Sequence, residues 1–320
     1  MTSSLYTHMQ AAVDIVNTGP HPTNKIAATI TGQGFALSRV NHWPAAITAA
    51  IGTNTKIGNS SGTIHAETAC ILSAPKTENT SLFVTDPPCP NCMKNIAEAG
   101  IVKLYIDHKG FDKDWARRRG DSFESMSMRI AEKAGIDVHI IHRKEERFEI
   151  ISRHAPGYKP PVENPPEIRQ YPPPESSPFE GGDMEGGASN AFKALIAKAY
   201  EQMNEEPFAI AIAHDHGGQT FSILVKPHPT IGYTYETMDK PPNKYSFLME
   251  PLNRLLMIAA RHGLKINPGH LYSSRTPTAR ELVNMLGAGL NQIQIGNTND
   301  SRDKFGPKAL KQLRDAKILK

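Results

Sequence analysis

The chain has 320 residues, room for two ordinary cores, and it combines 39% hydrophobic residues with 25 prolines. That balance predicts packed units plus an extended stretch, and a formal net charge of +4 permits an anionic substrate without demanding nucleic acid. No run of eighteen apolar residues predicts a membrane span, and Met1–Gln10 lacks the pattern of a secretory signal. Three cysteines, Cys70, Cys89 and Cys92, are too few and too clustered for a disulfide framework, so a reducing, cytoplasmic setting is expected.

In chain order, Leu5–Val16 has helical spacing. Ile26–Thr31 and Phe35–Val40 read as strands joined by a Gly32-Gln33-Gly34 turn. Thr63–Leu72 is predicted helical, Ser81–Thr85 a short strand, and Pro90–Ala99 a helix stopped at Gly100. Ile101–Asp107 is a strand, Ser122–Ala134 an amphipathic helix and Ile136–Ile141 a last strand. The alternation predicts a three-layer α/β unit over residues 1–152 whose later strands run parallel, because a helix separates them. A Pro/Gly-rich linker is expected over 153–188, with doublets at Pro160-Pro161 and Pro165-Pro166 and a triplet at Pro172-Pro173-Pro174. Residues 189–320 then form a second unit.

The chemistry-bearing residues are His65-Ala66-Glu67 and, after a helix and a strand, Pro88-Cys89-Pro90-Asn91-Cys92. One imidazole and two thiolates make a three-ligand zinc site that leaves the fourth tetrahedral position to water, the arrangement of catalytic rather than structural zinc. Pro90 suits the first position of a helix, which puts Cys89 and Cys92 where the helix dipole stabilises thiolates. Glu67, two residues from a ligand, is placed to shuttle a proton.

His-x-Glu followed by Pro-Cys-x-x-Cys is the signature of zinc nucleobase deaminases. Over roughly its first 140 residues the chain resembles the cytidine/deoxycytidylate deaminase superfamily. The resemblance implies a cytidine-deaminase-like α/β/α fold, bound Zn2+, His65, Cys89 and Cys92 as ligands and Glu67 as the catalytic acid-base group. It also implies Asn41 as a substrate contact, a position that a strand-ending turn would equally explain. The helix between Ile106 and Ile136 places the resemblance nearer the deoxycytidylate, guanine and tRNA-adenosine deaminases than the small cytidine deaminases. In relatives the loop after Ile106, here with Asp107, His108, Lys109, Trp115 and Arg117-Arg118-Arg119, shapes the substrate pocket; a phosphate clamp and an ordinary solvated surface are both open for the arginines. Cys70 reads as a small core residue.

The second unit carries matches to the first. Leu271-Tyr272-Ser273-Ser274 parallels Leu82-Phe83-Val84-Thr85, and Pro277, Ala288-Gly289-Leu290 and Ile295 follow at the same offset. On this reading Met249 replaces His65, Pro251 replaces Glu67, Thr278 replaces Cys89 and Glu281 replaces Cys92, giving a degenerate deaminase-like unit without metal ligands. It would pair with the first unit within the chain or take the place of a second subunit in a homo-oligomer; an unrelated α/β unit is the alternative. His214, His216, His228 and His270 match no metal spacing.

The expected activity is hydrolytic deamination of a cytosine-type base or nucleotide, a small-molecule substrate, with release of ammonia. A purine, a tRNA adenosine or a riboflavin-pathway aminopyrimidine is the alternative substrate. A zinc-stabilised binding module and a thiol-disulfide oxidoreductase are the alternatives outside this chemistry.

Overall fold

The computed structural model describes residues 2–113, 126–171, 190–238 and 246–320. The first sheet contains β1 (Ala27–Gly32), β2 (Phe35–Val40), β3 (Ser81–Val84), β4 (Lys103–Asp107), β5 (Asp137–His142) and β6 (Arg147–Ser152), in the order β2-β1-β3-β4-β5-β6. β1 is antiparallel to β2 and β3, and β3, β4 and β5 are mutually parallel. Gln33-Gly34 closes the hairpin, with Gly34 at φ +77°, the left-handed geometry of a two-residue turn. β6, which the sequence reading missed, pairs antiparallel with β5 and leaves Phe148, Ile150 and Ile151 exposed at the sheet edge.

Strand alternation sorts the side chains onto two faces. Phe83, Tyr105 and Ile141 meet Met9 of α1 (Thr2–Ile15) on one face. Leu82, Val84, Leu104 and Ile106 point the other way, into the cluster that holds Cys70 of α3 (Ala66–Ser73) and Ile96 of α4 (Pro90–Glu98). The expected three-layer α/β arrangement follows. The helix expected from Thr63 begins only at Ala66, because Ile64 is bridged to His42 and Thr63–His65 is drawn out as extended chain. The predicted helix over Ser122–Ala134 is seen as α5 (Met128–Ala134), and its start lies outside the described residues.

The second sheet is built from β7 (Glu167–Gln170), β8 (Ala209–His214), β9 (Thr220–Val225), β12 (Lys265–Thr276) and β13 (Gln294–Ser301); a small β10 (His228–Pro229) and β11 (Leu248–Met249) pair separately. Its order is β13-β12-β8-β9-β7, with β8 antiparallel to β9 and β12, and β12 parallel to β13. Read as β9-β8-β12-β13, four strands have the order and directions of β2-β1-β3-β4. Helix α6 (Asn190–Met203) covers the outer face through Phe192, while α7 (Pro251–His262) and α8 (Ala279–Gly287) cover the inner one; α9 (Phe305–Asp315) packs on α8.

The helix starts refine the matching of the two halves. His65 is the N-cap of α3 and Glu250 the N-cap of α7, and the His42–Ile64 bridge corresponds to the His228–Met249 pair. The counterpart of His65 is therefore Glu250, not Met249, and that of Glu67 is Leu252, not Pro251. Thr278 and Cys89 are both N-caps, and Glu281 and Cys92 each stand three residues beyond them.

The halves are not two beads on a string. α3 and α4 pack directly on α7, and α3 also on α8, so one hydrophobic cluster runs from Leu82 and Ile96 through Leu255 to Leu282 and Ala211. At its centre the fully buried Arg254 donates to Glu98 Oε1 at 2.9 Å and to the Lys226 carbonyl at 2.8 Å, and also to the Asn164 carbonyl. His228 Nε2 meets Glu98 Oε2 at 2.7 Å. Burial alone would push the Glu98 carboxyl up, but His228 and Arg254 hold it down to about 2.

The expected linker is also more than a spacer. Residues 153–171 lie along both halves: the Tyr158 hydroxyl donates to Lys133 O, Pro161 O accepts from Gly232 N, and Glu167–Gln170 adds β7 to the second sheet beside β9. Prolines suit such a strap, since extended chain asks few donors of them. Residues 172–188 of the expected linker lie outside the described residues.

Candidate metal centre

Two helix N-termini build the site. Pro90 at the first position of α4 makes Cys89 the N-cap and sets Cys92 in the first turn. His65 caps α3, with Glu67 in that helix's first turn. The loop before Cys89 is fixed from outside, where Ser127 Oγ donates to Pro88 O at 2.9 Å and Gly110 lies against Thr85 so closely that a Cβ there would sit 2.3 Å from Thr85 O.

His65 Nδ1 lies 3.2 Å from Cys92 Sγ and 3.6 Å from Cys89 Sγ, and the three ligand atoms fall within 4.8 Å of one another. Zinc at about 2.3 Å from sulfur and about 2.0 Å from nitrogen, in tetrahedral geometry, needs an N···S separation of about 3.6 Å. The donor set therefore fits a zinc ion, and it is the one such cluster of His, Cys, Asp and Glu among the described residues. The hydrogen bond from Cys92 and the nearby His65 imidazole hold the Cys89 thiol well below its ordinary value, and the same shared proton keeps Cys92 protonated.

Glu67 is 2% exposed and its Oε2 has no hydrogen-bond partner. Burial pushes its carboxyl up to about 7, against the opposing pull of His65.

Asn41 is buried, with Oδ1 accepting from Ile26 N at 2.9 Å and Nδ2 donating to Asn24 O at 2.8 Å. The amide thus ties the segment before β1 to the end of β2. Cys70 is buried, donates to Ala28 O at 3.2 Å, and burial pushes its thiol up to about 12, the properties of an inert core residue. Asp107 is paired with Arg143 at 2.7 Å. Trp115 and Arg117–Arg119 lie outside the described residues.

Sequence reasoning missed three groups. Asp86, buried ahead of Cys89, accepts from Thr85 Oγ1 and Lys113 Nζ, both at 2.6 Å. Thr68, the residue after Glu67, lies 4.0 Å from Cys92 Sγ through its hydroxyl and accepts from Asn95 Nδ2 at 3.0 Å. The positions of Thr68 after His-x-Glu and of Asn95 one turn beyond Cys92 are the only signals the sequence offered.

A family model for the cytidine and deoxycytidylate deaminase zinc-binding region matches residues 3–108. The uncharacterized deaminase in the luxG 3' region of Aliivibrio fischeri is 29% identical over 119 residues, 37% of this chain and 79% of its own length. Among solved structures, dCMP deaminase from the cyanophage S-TIM5 in complex with dCMP and dUMP aligns at 20% identity over 43% of this chain and 97% of its own, with a TM-score of 0.33. Acinetobacter baumannii RibD, form 2, aligns at 15% identity over 45% of this chain and 37% of its own, with a TM-score of 0.30. Among the described residues no helix is long and apolar enough to cross a membrane. Residues 3–108 are thus similar to the zinc-binding region of the cytidine and deoxycytidylate deaminases.

Proposed function

We propose that the chain is a zinc-dependent hydrolytic deaminase of a cytosine-type base or nucleotide, forming the uracil product and ammonia. One observation carries the reading: His65, Cys89 and Cys92 converge from two helix N-termini, with the Glu67 carboxyl buried beside them and its Oε2 without a hydrogen-bond partner. A zinc ion, when bound by these three residues, makes water acidic enough to give up a proton near neutral pH. Glu67 takes that proton and delivers it to the ring nitrogen; it then takes the second water proton, from the hydroxyl now on the ring carbon, and delivers it to the leaving amino group as the C–N bond breaks. The net change is substrate amine plus water to carbonyl plus ammonia. Asn41 would meet the substrate with the one amide hydrogen that its two backbone bonds leave over.

The second half is, in this reading, a degenerate copy of the first. The shared strand order and directions support it, as does the matching of helix N-caps. At the position equivalent to the metal site stand Glu250, Thr278 and Glu281. Glu250 pairs with Arg275 and Arg302, each at 2.6 Å, and Glu281 folds back onto Thr278 as a capping box.

The test is ammonia release by zinc-loaded full-length protein from cytosine, cytidine, dCMP, guanine, adenosine and single-stranded oligonucleotides, with Glu67→Gln alongside. Release from a cytosine-type monomer, lost in the variant, supports the proposal. Release from a purine alone moves the substrate class. Silence on all of them with zinc bound overturns the assignment in favour of a zinc-stabilised binding module.

A further inference from the structure

Four polar side chains form one line from the second half of the chain to the metal centre. Asn284 Nδ2 donates to Asn253 Oδ1 at 2.7 Å, Asn253 Nδ2 to Asn95 Oδ1 at 2.6 Å, and Asn95 Nδ2 to Thr68 Oγ1 at 3.0 Å. Thr68 Oγ1 then stands 4.0 Å from Cys92 Sγ. Every amide donates in the same direction, and accepting from Asn95 leaves the Thr68 hydroxyl hydrogen to turn toward the sulfur. Thr68, Asn95 and Asn284 are buried at 2 to 3% exposure, so water competes little for these bonds.

The corrected register explains why the line exists. Asn95 on α4 and Asn284 on α8 are equivalent positions, and so are Thr68 on α3 and Asn253 on α7. Each half makes the same bond between its two helices, and the Asn253–Asn95 bond joins them across the interface. A second contact points the same way: Arg280, in the first turn of α8, donates to Thr63 O at 2.6 Å, two residues ahead of His65.

We propose that Asn253 is a positioning residue for the metal centre, and that the second half, having no ligands of its own, serves as an outer shell that orients Cys92 through Asn95 and Thr68. The inference rests on the reading of His65, Cys89 and Cys92 as zinc ligands. A thiolate ligand needs a donor to fix its orientation and neutralise part of its charge, and removing such outer partners costs about 10–100-fold in metal affinity or activity.

The experiment is zinc affinity of the full chain, measured by competition with a chromophoric chelator, together with the thiolate-to-metal absorption of the cobalt-substituted protein. Asn253→Leu keeps the volume and removes the bond; zinc binding should weaken about tenfold or more and the cobalt bands should shift. Thr68→Val should do the same from the other half, and Thr68→Ser should restore the wild-type values, so the test survives if one variant fails to fold. Leu313→Ala, a buried truncation in α9 that removes none of the bonds in the line, should leave zinc affinity unchanged. Affinity within twofold of wild type in both Asn253→Leu and Thr68→Val overturns the proposal, as does an equal loss in Leu313→Ala. A wild-type chain that takes up no zinc would instead sink the metal-site reading on which the proposal stands.

Discussion

Replacing Arg254 by Met should be among the most damaging single changes in this protein, although Arg254 touches no metal ligand. Its side chain is wholly buried, and the change would strip Glu98 of a charge partner and two main-chain carbonyls, of Lys226 and Asn164, of their donor. Breaking a buried pair by removing one member costs about 3–5 kcal/mol, a large share of the stability of an ordinary domain. The same cluster predicts an acid limb. Glu98 is held at about 2 in the fold against about 4.3 in the unfolded chain, so it contributes about 3 kcal/mol that is fully present above pH ~4.5. That contribution is lost as the pH falls from ~4.5 towards ~2. Urea unfolding between pH 3 and 7 reads both effects. Arg254→Met should lower the midpoint at every pH and make the acid limb shallower, because Glu98 loses one of the two groups that hold it down, and Glu98→Gln should flatten the limb. A midpoint within error of wild type for Arg254→Met, or an unchanged acid limb in Glu98→Gln, would refute the reasoning.

Glu67→Gln should lower kcat by about 10²–10⁴-fold with the zinc content, read by atomic absorption, unchanged. Cys92→Ala should lose zinc and activity together, because only two protein donors remain. Asn41→Ala should destabilise by about 1–3 kcal/mol in thermal unfolding, since Ile26 N would lose its buried acceptor. Gly110→Ala should reduce zinc occupancy as well as stability, because its methyl would collide with the backbone of Thr85 and Asp86 that leads to Cys89.

The metal triad and its helix were legible because they depend on local chemistry. Pro90 fixes a helix start, and that start sets both cysteines on one turn, while Ser127 and Gly110 hold the loop ahead of it. What escaped the sequence was set by partners distant along the chain. Thr63–His65 has helix-compatible residues, yet the bridge to His42 holds it extended and makes His65 a cap. Glu167–Gln170 sits among prolines whose composition reads as linker, and only the exposed edge of β9 recruits it as a strand. The equivalence of the halves was readable after Leu271, where the offset is constant. Upstream the insertion made His65 against Met249 or Glu250 ambiguous by one residue, which the helix caps resolve.

On the degenerate-copy reading proposed above, the second half is unsuited to a metal ion by more than the three residues that stand in the ligand positions. The position of Asp86 is taken by Arg275, and the guanidinium groups of Arg275 and Arg302 both bind Glu250. Positive charge is therefore already built in where a metal ion would sit. Glu281, pushed up to about 7 by burial and by Glu250, has its oxygens bonded to Thr278 and to the Asn253 amide. A triple reversion, Glu250→His, Thr278→Cys and Glu281→Cys, would rebuild the donor set but leave two uncompensated cations beside it. Coulomb repulsion at an effective dielectric of about 20 costs roughly 4 kcal/mol for unit charges 4 Å apart, and a divalent ion doubles it. The triple variant should therefore still bind a single zinc per chain, and adding Arg275→Asp and Arg302→Gln should admit a second. Titration calorimetry with zinc distinguishes the cases, and two zinc ions bound by the triple variant alone would show that the arginines do not guard the site.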